Sequence, residues 1–176
     1  HVSFQQEPIV RIGIQQNISD FTLRSAEPFM LEGVRTRSAK FSIVITLDAA
    51  EGTYSRSDLH SRMAIEINPE TIMIRALDLE VRATPSRAPL EVEGRKYRGD
   101  IEVSGNSRGS MTVVNELPLV DYLLGVVPNE LAPDAFPELE ALKAQAVAAR
   151  TYIVRNLGQF EDENFDICAT DFCQVY

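Results

Sequence analysis

The sequence predicts an α+β fold: a β-rich first half followed by a helical segment with one long alanine-rich helix. Two observations carry this. From residue 9 to about 117, short segments rich in β-branched residues alternate with clusters of turn-forming residues. From Glu138 to Leu157 the apolar period becomes helical.

The strands are read at VRIGI (10–14), FSIVITL (41–47), AIEIN (64–68), TIMIRAL (71–77) and IEVS (101–104). Between them lie Asn17 to Asp20, Glu51-Gly52, Asn68-Pro69-Glu70, Pro85 to Pro89 and Gly105 to Gly109, the Gly, Pro, Asn, Asp and Ser clusters that reverse a chain. Asn68-Pro69-Glu70 falls between two alternating segments, so it predicts a hairpin whose turn is preset by the fixed φ of proline. GNSRGS at 105–110 lacks the lysine and the spacing of a phosphate loop and lies between strands, so it reads as a hairpin turn.

In the second half, Leu117 to Val127 predicts a short helix, with Pro118 and Asp121 suited to its start and Gly125 or Pro128 ending it. After a loop punctuated by Pro133 and Pro137, the helix over 138–157 has acidic residues first, alanines through its middle and Gly158 just past its end. At about 100° per residue, Leu142, Gln145, Ala146, Ala149, Ile153 and Leu157 share an apolar stripe. Gln145 is the polar member, so its amide either braces a neighbouring loop or reaches a ligand. Lys143 and Arg150 share a second face with Val147 and Val154, which suits either a cleft wall or a rim of cations lying over valines toward water.

The chain has 176 residues, 44% of them hydrophobic, enough to bury a core in one domain or two small ones. Its net charge of −9 is uneven: residues 1–109 carry 14 Lys+Arg against 15 Asp+Glu, whereas residues 110–176 carry 3 against 11. An acidic second half repels nucleic acid and anionic lipid, so neither is an expected partner, while a neutral polymer is compatible. No apolar run reaches the roughly 18 residues of a membrane-spanning helix. The opening on His1, with no basic and apolar leader, reads as a processed or trimmed product.

Glu130 is the candidate for chemistry. It follows Val126, Val127, Pro128 and Asn129 and precedes Leu131, so partial burial is expected, and desolvation would raise its proton affinity toward that of a proton donor. The alternative is a solvated glutamate at a helix end, with Asn129 as the cap.

Tyr97-Arg98-Gly99, the string NELPLVDYLLGVVPNELAPDAFPELEALKAQAVAAR from Asn115 to Arg150, and CATDFCQVY from Cys168 to Tyr176 together resemble the stage II sporulation protein D family (SpoIID), which includes the LytB amidase enhancers. The resemblance covers residues 95–176 and leaves 1–94 as a β-rich region outside it. It implies a peptidoglycan lytic transglycosylase in which Glu130, of the VVPxE pattern, is the catalytic acid, with Lys143, Gln145 and Arg150 as substrate-binding residues. It also implies export to the cell-wall side of a bacterial membrane, glycan strands as partner, no cofactor, and a family domain that continues past Tyr176, so that 95–176 would be a catalytic region truncated at its C-terminus. The non-enzymatic alternative is an enhancer that binds glycan or a cell-wall amidase.

Cys168 and Cys173 form either a disulfide of an exported protein or part of a metal site. Some members that this chain resembles hold zinc through a cysteine pair helped by histidines. Here the histidines are His1 and His60, distant in sequence, and tetrahedral zinc takes four ligands, so the disulfide is the preferred reading and zinc the alternative.

Overall fold

The computed structural model describes residues 7–18, 21–27, 29–35, 40–45, 64–68, 71–75, 79–106, 108, 110–132, 134 and 137–176. It is an α+β chain in two compact units, Gln15–Asn115 and His1–Ile14 with Glu116–Tyr176.

In the unit Gln15–Asn115 the described residues lie mostly in strands. Its first sheet contains β3 (Phe29–Arg35), β4 (Lys40–Ile45), β7 (Leu79–Pro85), β10 (Asp100–Gly105) and part of β11 (Met111–Pro118), in the order β11-β10-β7-β3-β4. A second sheet runs β5-β6-β2-β8-β9, with β2 at Phe21–Ser25, β5 at Ala64–Asn68, β6 at Thr71–Arg75, β8 at Leu90–Val92 and β9 at Arg95–Tyr97. The expected hairpin appears as antiparallel pairing of β5 with β6, Asn68 opposite Thr71. Its turn residues, Pro69 and Glu70, lie outside the described residues, as does the turn read at Glu51-Gly52. The expected strands at 10–14, 41–47, 64–68, 71–77 and 101–104 are present over their described parts.

Burial alternates along β7, whereas consecutive residues are buried in β10 and β11. In β7, Val81 and Ala83 are buried, and in β10 Ile101 and Val103 join them. Asn115 is fully buried and donates from its amide to the carbonyls of Arg98 at 2.7 Å and Asp100 at 3.0 Å. It thereby braces the bend at Gly99, whose φ of +75° favours glycine. The Tyr97-Arg98-Gly99 element is thus a structural bend held by a buried amide. In the 105–110 connection, Asn106 Oδ1 accepts from the backbone N–H groups of Arg108 and Ser110, which is how an asparagine closes a turn.

The other unit holds the start of β1 (Ile9–Ile18), the end of β11, two helices, a 3-10 turn at Glu161–Glu163 and β12 (Ile167–Cys168). Strand β12 runs parallel to β1, with Ile12 opposite Ile167 and Gly13 opposite Cys168. Asp166 fixes this docking from both carboxylate oxygens: Oδ2 accepts the Arg11 N–H and Oδ1 the Gly158 N–H, each at 2.8 Å. Phe165 lies so close over Gly13 that a Cβ there would be 2.9 Å from its ring, which requires glycine at 13. Helix α1 (Leu119–Leu131) packs on α2 (Leu139–Asn156), with Leu119, Tyr122, Val126, Ala149 and Ile153 in the shared core.

Candidate functional site

Helix α1 starts after Pro118, whose ψ of 149° is extended rather than helical, and the amino-terminal segment satisfies its first free N–H groups. Pro8 O accepts from Leu119 N at 3.0 Å and Glu7 Oε1 from Val120 N at 2.6 Å. Asp121 sits in the first turn, where a negative charge is favoured.

The helix does not stop at Val127. It runs through Gly125 and Pro128 to Leu131 and closes on Ala132, left-handed at φ 35°, whose N–H donates to Pro128 O. Proline removes one interior hydrogen bond without preventing a final turn. Asn129 does not cap a helix start; its amide donates back to Gly125 O at 3.0 Å within the same helix. Gly125 is kept small by its neighbour, since a Cβ there would meet the Tyr176 ring at 2.6 Å.

The extra turn decides where Glu130 stands. Tyr122, Val126 and Glu130 follow one another at intervals of four, on one stripe whose first two members are fully buried. Glu130 itself is exposed, so the partial burial expected of it is corrected: the stripe emerges into solvent at its last member, and the protein does not supply the expected desolvation. The carboxylate is nevertheless held. Its Oε1 accepts the Val175 N–H at 2.8 Å, a donor that opposes the partial negative charge of the helix's terminal carbonyls.

The three residues 174–176 each meet α1. Gln174, buried, accepts the Tyr122 hydroxyl at Oε1 at 2.6 Å; Val175 holds Glu130; and Tyr176 stacks on Tyr122 with ring centroids 5.4 Å apart while covering Gly125. Burial pushes the Tyr122 hydroxyl well above the ordinary tyrosine range, and Tyr176, Tyr152 and Glu130 nearby push the same way. Tyr122, Gln174 and Tyr176 were not singled out from sequence; the polar glutamine next to Val175 and Tyr176 and the four-residue interval from Tyr122 to Glu130 were the available signals.

On α2 the expected apolar stripe is present: Ala149 and Ile153 are buried, and Leu142, Gln145, Ala146 and Leu157 are half-buried. The Gln145 side chain makes no hydrogen bond to any described residue. Lys143 and Arg150 are exposed, and Val147 beside them is 67% exposed, which is the rim arrangement rather than a cleft wall. Lys143 Nζ pairs with Glu140 at 2.8 Å in solvent. Among the described residues, Lys143, Gln145 and Arg150 make no hydrogen bond to Glu130.

Cys168 and Cys173 are joined as a disulfide with their Cα atoms 5.6 Å apart. Joined sulfurs offer no thiolate, and among the described residues no three His, Cys, Asp or Glu side chains converge. Among the described residues no helix is long and apolar enough to cross a membrane.

Residues 107–176 match the family described as stage II sporulation protein, SpoIID. An uncharacterized protein of Brachyspira hyodysenteriae is 51% identical over 71 residues, 38% of this chain and 18% of its own length. The stage II sporulation protein D of Bacillus amyloliquefaciens is 52% identical over 48 residues, 27% of this chain and 13% of that protein; that of Bacillus subtilis is 55% identical over 42 residues, 24% and 12%. The matched segments thus span less than a fifth of these relatives' length. No solved structure matches this chain.

Proposed function

We propose, from the match of residues 107–176 to the stage II sporulation protein D family, a lytic transglycosylase that cuts peptidoglycan between N-acetylmuramic acid and N-acetylglucosamine. The observation that carries this reading is the seating of Glu130. One oxygen, Oε1, is fixed by the Val175 N–H, while the exposed side chain leaves the carboxyl reachable by a polymer too large to enter a closed pocket.

In the proposed reaction the Glu130 carboxyl gives its proton to the bridging oxygen as the bond to C1 of the muramic sugar breaks. The carboxylate then takes the proton of the muramic 6-hydroxyl as that oxygen closes onto C1, so the proton is returned and the product is a 1,6-anhydro sugar. Ordinary glycosidases need a second carboxylate about 5–10 Å away, as nucleophile or as base toward water. An internal hydroxyl as nucleophile removes that need. Desolvation of the acid comes from the sugar rings that cover it, since the protein leaves it exposed. Lys143, Gln145 and Arg150, displayed on α2, take sugar hydroxyls, N-acetyl carbonyls or the lactyl group as the strand docks. The reaction needs no cofactor, and its substrate places the protein on the cell-wall side of a bacterial membrane.

A second reading is favoured by the solvation of Glu130: the same surface binds glycan or a cell-wall amidase as an enhancer and cuts nothing. Incubation with purified glycan strands stripped of stem peptides, without any amidase, separates the two. Mass spectrometry should find new anhydro-muramyl ends. Strands that stay intact while still co-sedimenting with the protein would favour the enhancer.

A further inference from the structure

Glu130 is held from a distance along the chain. Its partner, the Val175 N–H, lies two residues beyond Cys173, and Gln174 and Tyr176 on either side of Val175 are seated on Tyr122 and Gly125. The segment enters this arrangement from the loop 168–173, which is closed by the disulfide and by the Cys173 N–H to Thr170 O at 2.9 Å. The other end of that loop is anchored, because Cys168 belongs to β12, paired with β1 at Gly13. The disulfide therefore ties the residues that hold Glu130 to the sheet.

We infer that the Cys168–Cys173 disulfide is a redox control on how Glu130 is held, acting through Gln174, Val175 and Tyr176. Its importance for catalysis rests on Glu130 being the working group proposed above. Cys173 is the half-buried partner and Cys168 the buried one, so an incoming thiolate reaches Cys173 Sγ more readily. A dithiol reductant attacks there; the S–S bond breaks with its electron pair on Cys168 Sγ; the reductant's second thiol then displaces Cys173 and closes the reductant's own disulfide. Two electrons and two protons pass to the protein, leaving two thiols. The covalent tie is then replaced by hydrogen bonds alone, Cys173 N–H to Thr170 O, Cys168 N–H to Cys173 Sγ and Cys168 Sγ with Thr170 Oγ1, so the tether between residues 174–176 and β12 loosens.

The test follows amide hydrogen exchange at Val175 in the full chain, oxidised, reduced with dithiothreitol, and reoxidised, with amides in the middle of α2 as internal reference. Reduction should lower protection at Val175 by about tenfold, leave α2 unchanged, and be reversed on reoxidation. Equal protection in both forms, or equal loss throughout α2, would overturn the inference. Glycan cleavage measured in parallel should fall on reduction. If the oxidised chain cuts no glycan, the transglycosylase reading fails, and exchange at Val175 still decides the redox control.

Discussion

The Tyr122 hydroxyl donates to Gln174 Oε1 at 2.6 Å, with both residues buried. This bond connects the middle of α1 to the segment that holds Glu130. Tyr122→Phe keeps the ring and removes the donor, leaving a buried amide oxygen unsatisfied, which costs about 1–3 kcal/mol. Urea unfolding should show that loss with the slope unchanged; a variant as stable as the parent would mean the bond carries no weight.

The same hydroxyl predicts an alkaline limit. In the folded chain Tyr122 titrates above its ordinary value of 10.0, chiefly through burial. The folded state therefore keeps a proton that the unfolded state gives up, so the stabilisation is complete below pH 10.0 and is lost progressively above it. Tyr97 is raised in the same direction and adds to the effect. Unfolding followed across that range should fall more gently in Tyr122→Phe than in the parent. Identical slopes would contradict the assignment.

Gly125→Ala sets two effects against each other. Alanine favours a helix interior over glycine by about 1 kcal/mol. The added Cβ, however, meets ring carbons of Tyr176 at 2.6 and 3.0 Å, and that ring is buried and stacked on Tyr122. Overpacking of this kind costs about 1–3 kcal/mol. The clash should win, lowering the thermal midpoint; a raised midpoint would show that Tyr176 does not rest on Gly125.

Asp166→Ala removes the acceptor for the Arg11 and Gly158 N–H groups together. Hydrogen bonds to a charged acceptor are worth about 1.5–3 kcal/mol, and solvent reaches this half-buried site, so a total near the lower end is expected. Equilibrium unfolding checks it, and Asp166→Asn should recover part of the loss.

How much of this was legible in the sequence depends on how local the cause is. The stripe on α2 follows from helical period alone, and the strands at 10–14, 41–45, 64–68, 71–75 and 101–104 from β-branched runs, so these are where the sequence places them, whereas strands such as Phe29–Arg35 and Leu79–Pro85 are seen only in the fold. Glu130 was legible as a residue and misjudged as an environment. Apolar neighbours in sequence suggested burial, but in a helix the neighbours that matter are four apart, and reading Pro128 as a stop hid the interval Tyr122, Val126, Glu130. The contacts of Gln174, Val175 and Tyr176 with α1 join residues more than 40 positions apart, which no local pattern encodes. Asn115 is similar: an asparagine inside a strand reads as a poor strand residue until the bend it braces is seen. Lys143 and Arg150 share a helix face as the period requires, and only the fold shows that this face looks into solvent.

The most direct measurement compares the parent chain with Glu130→Gln on glycan strands stripped of stem peptides, counting anhydro-muramyl ends by mass spectrometry. The substitution keeps an oxygen able to accept the Val175 N–H, so fold and glycan binding should persist. Turnover should disappear, because an amide can neither give nor retake the proton. Anhydro ends formed at the parental rate by the variant would contradict the account.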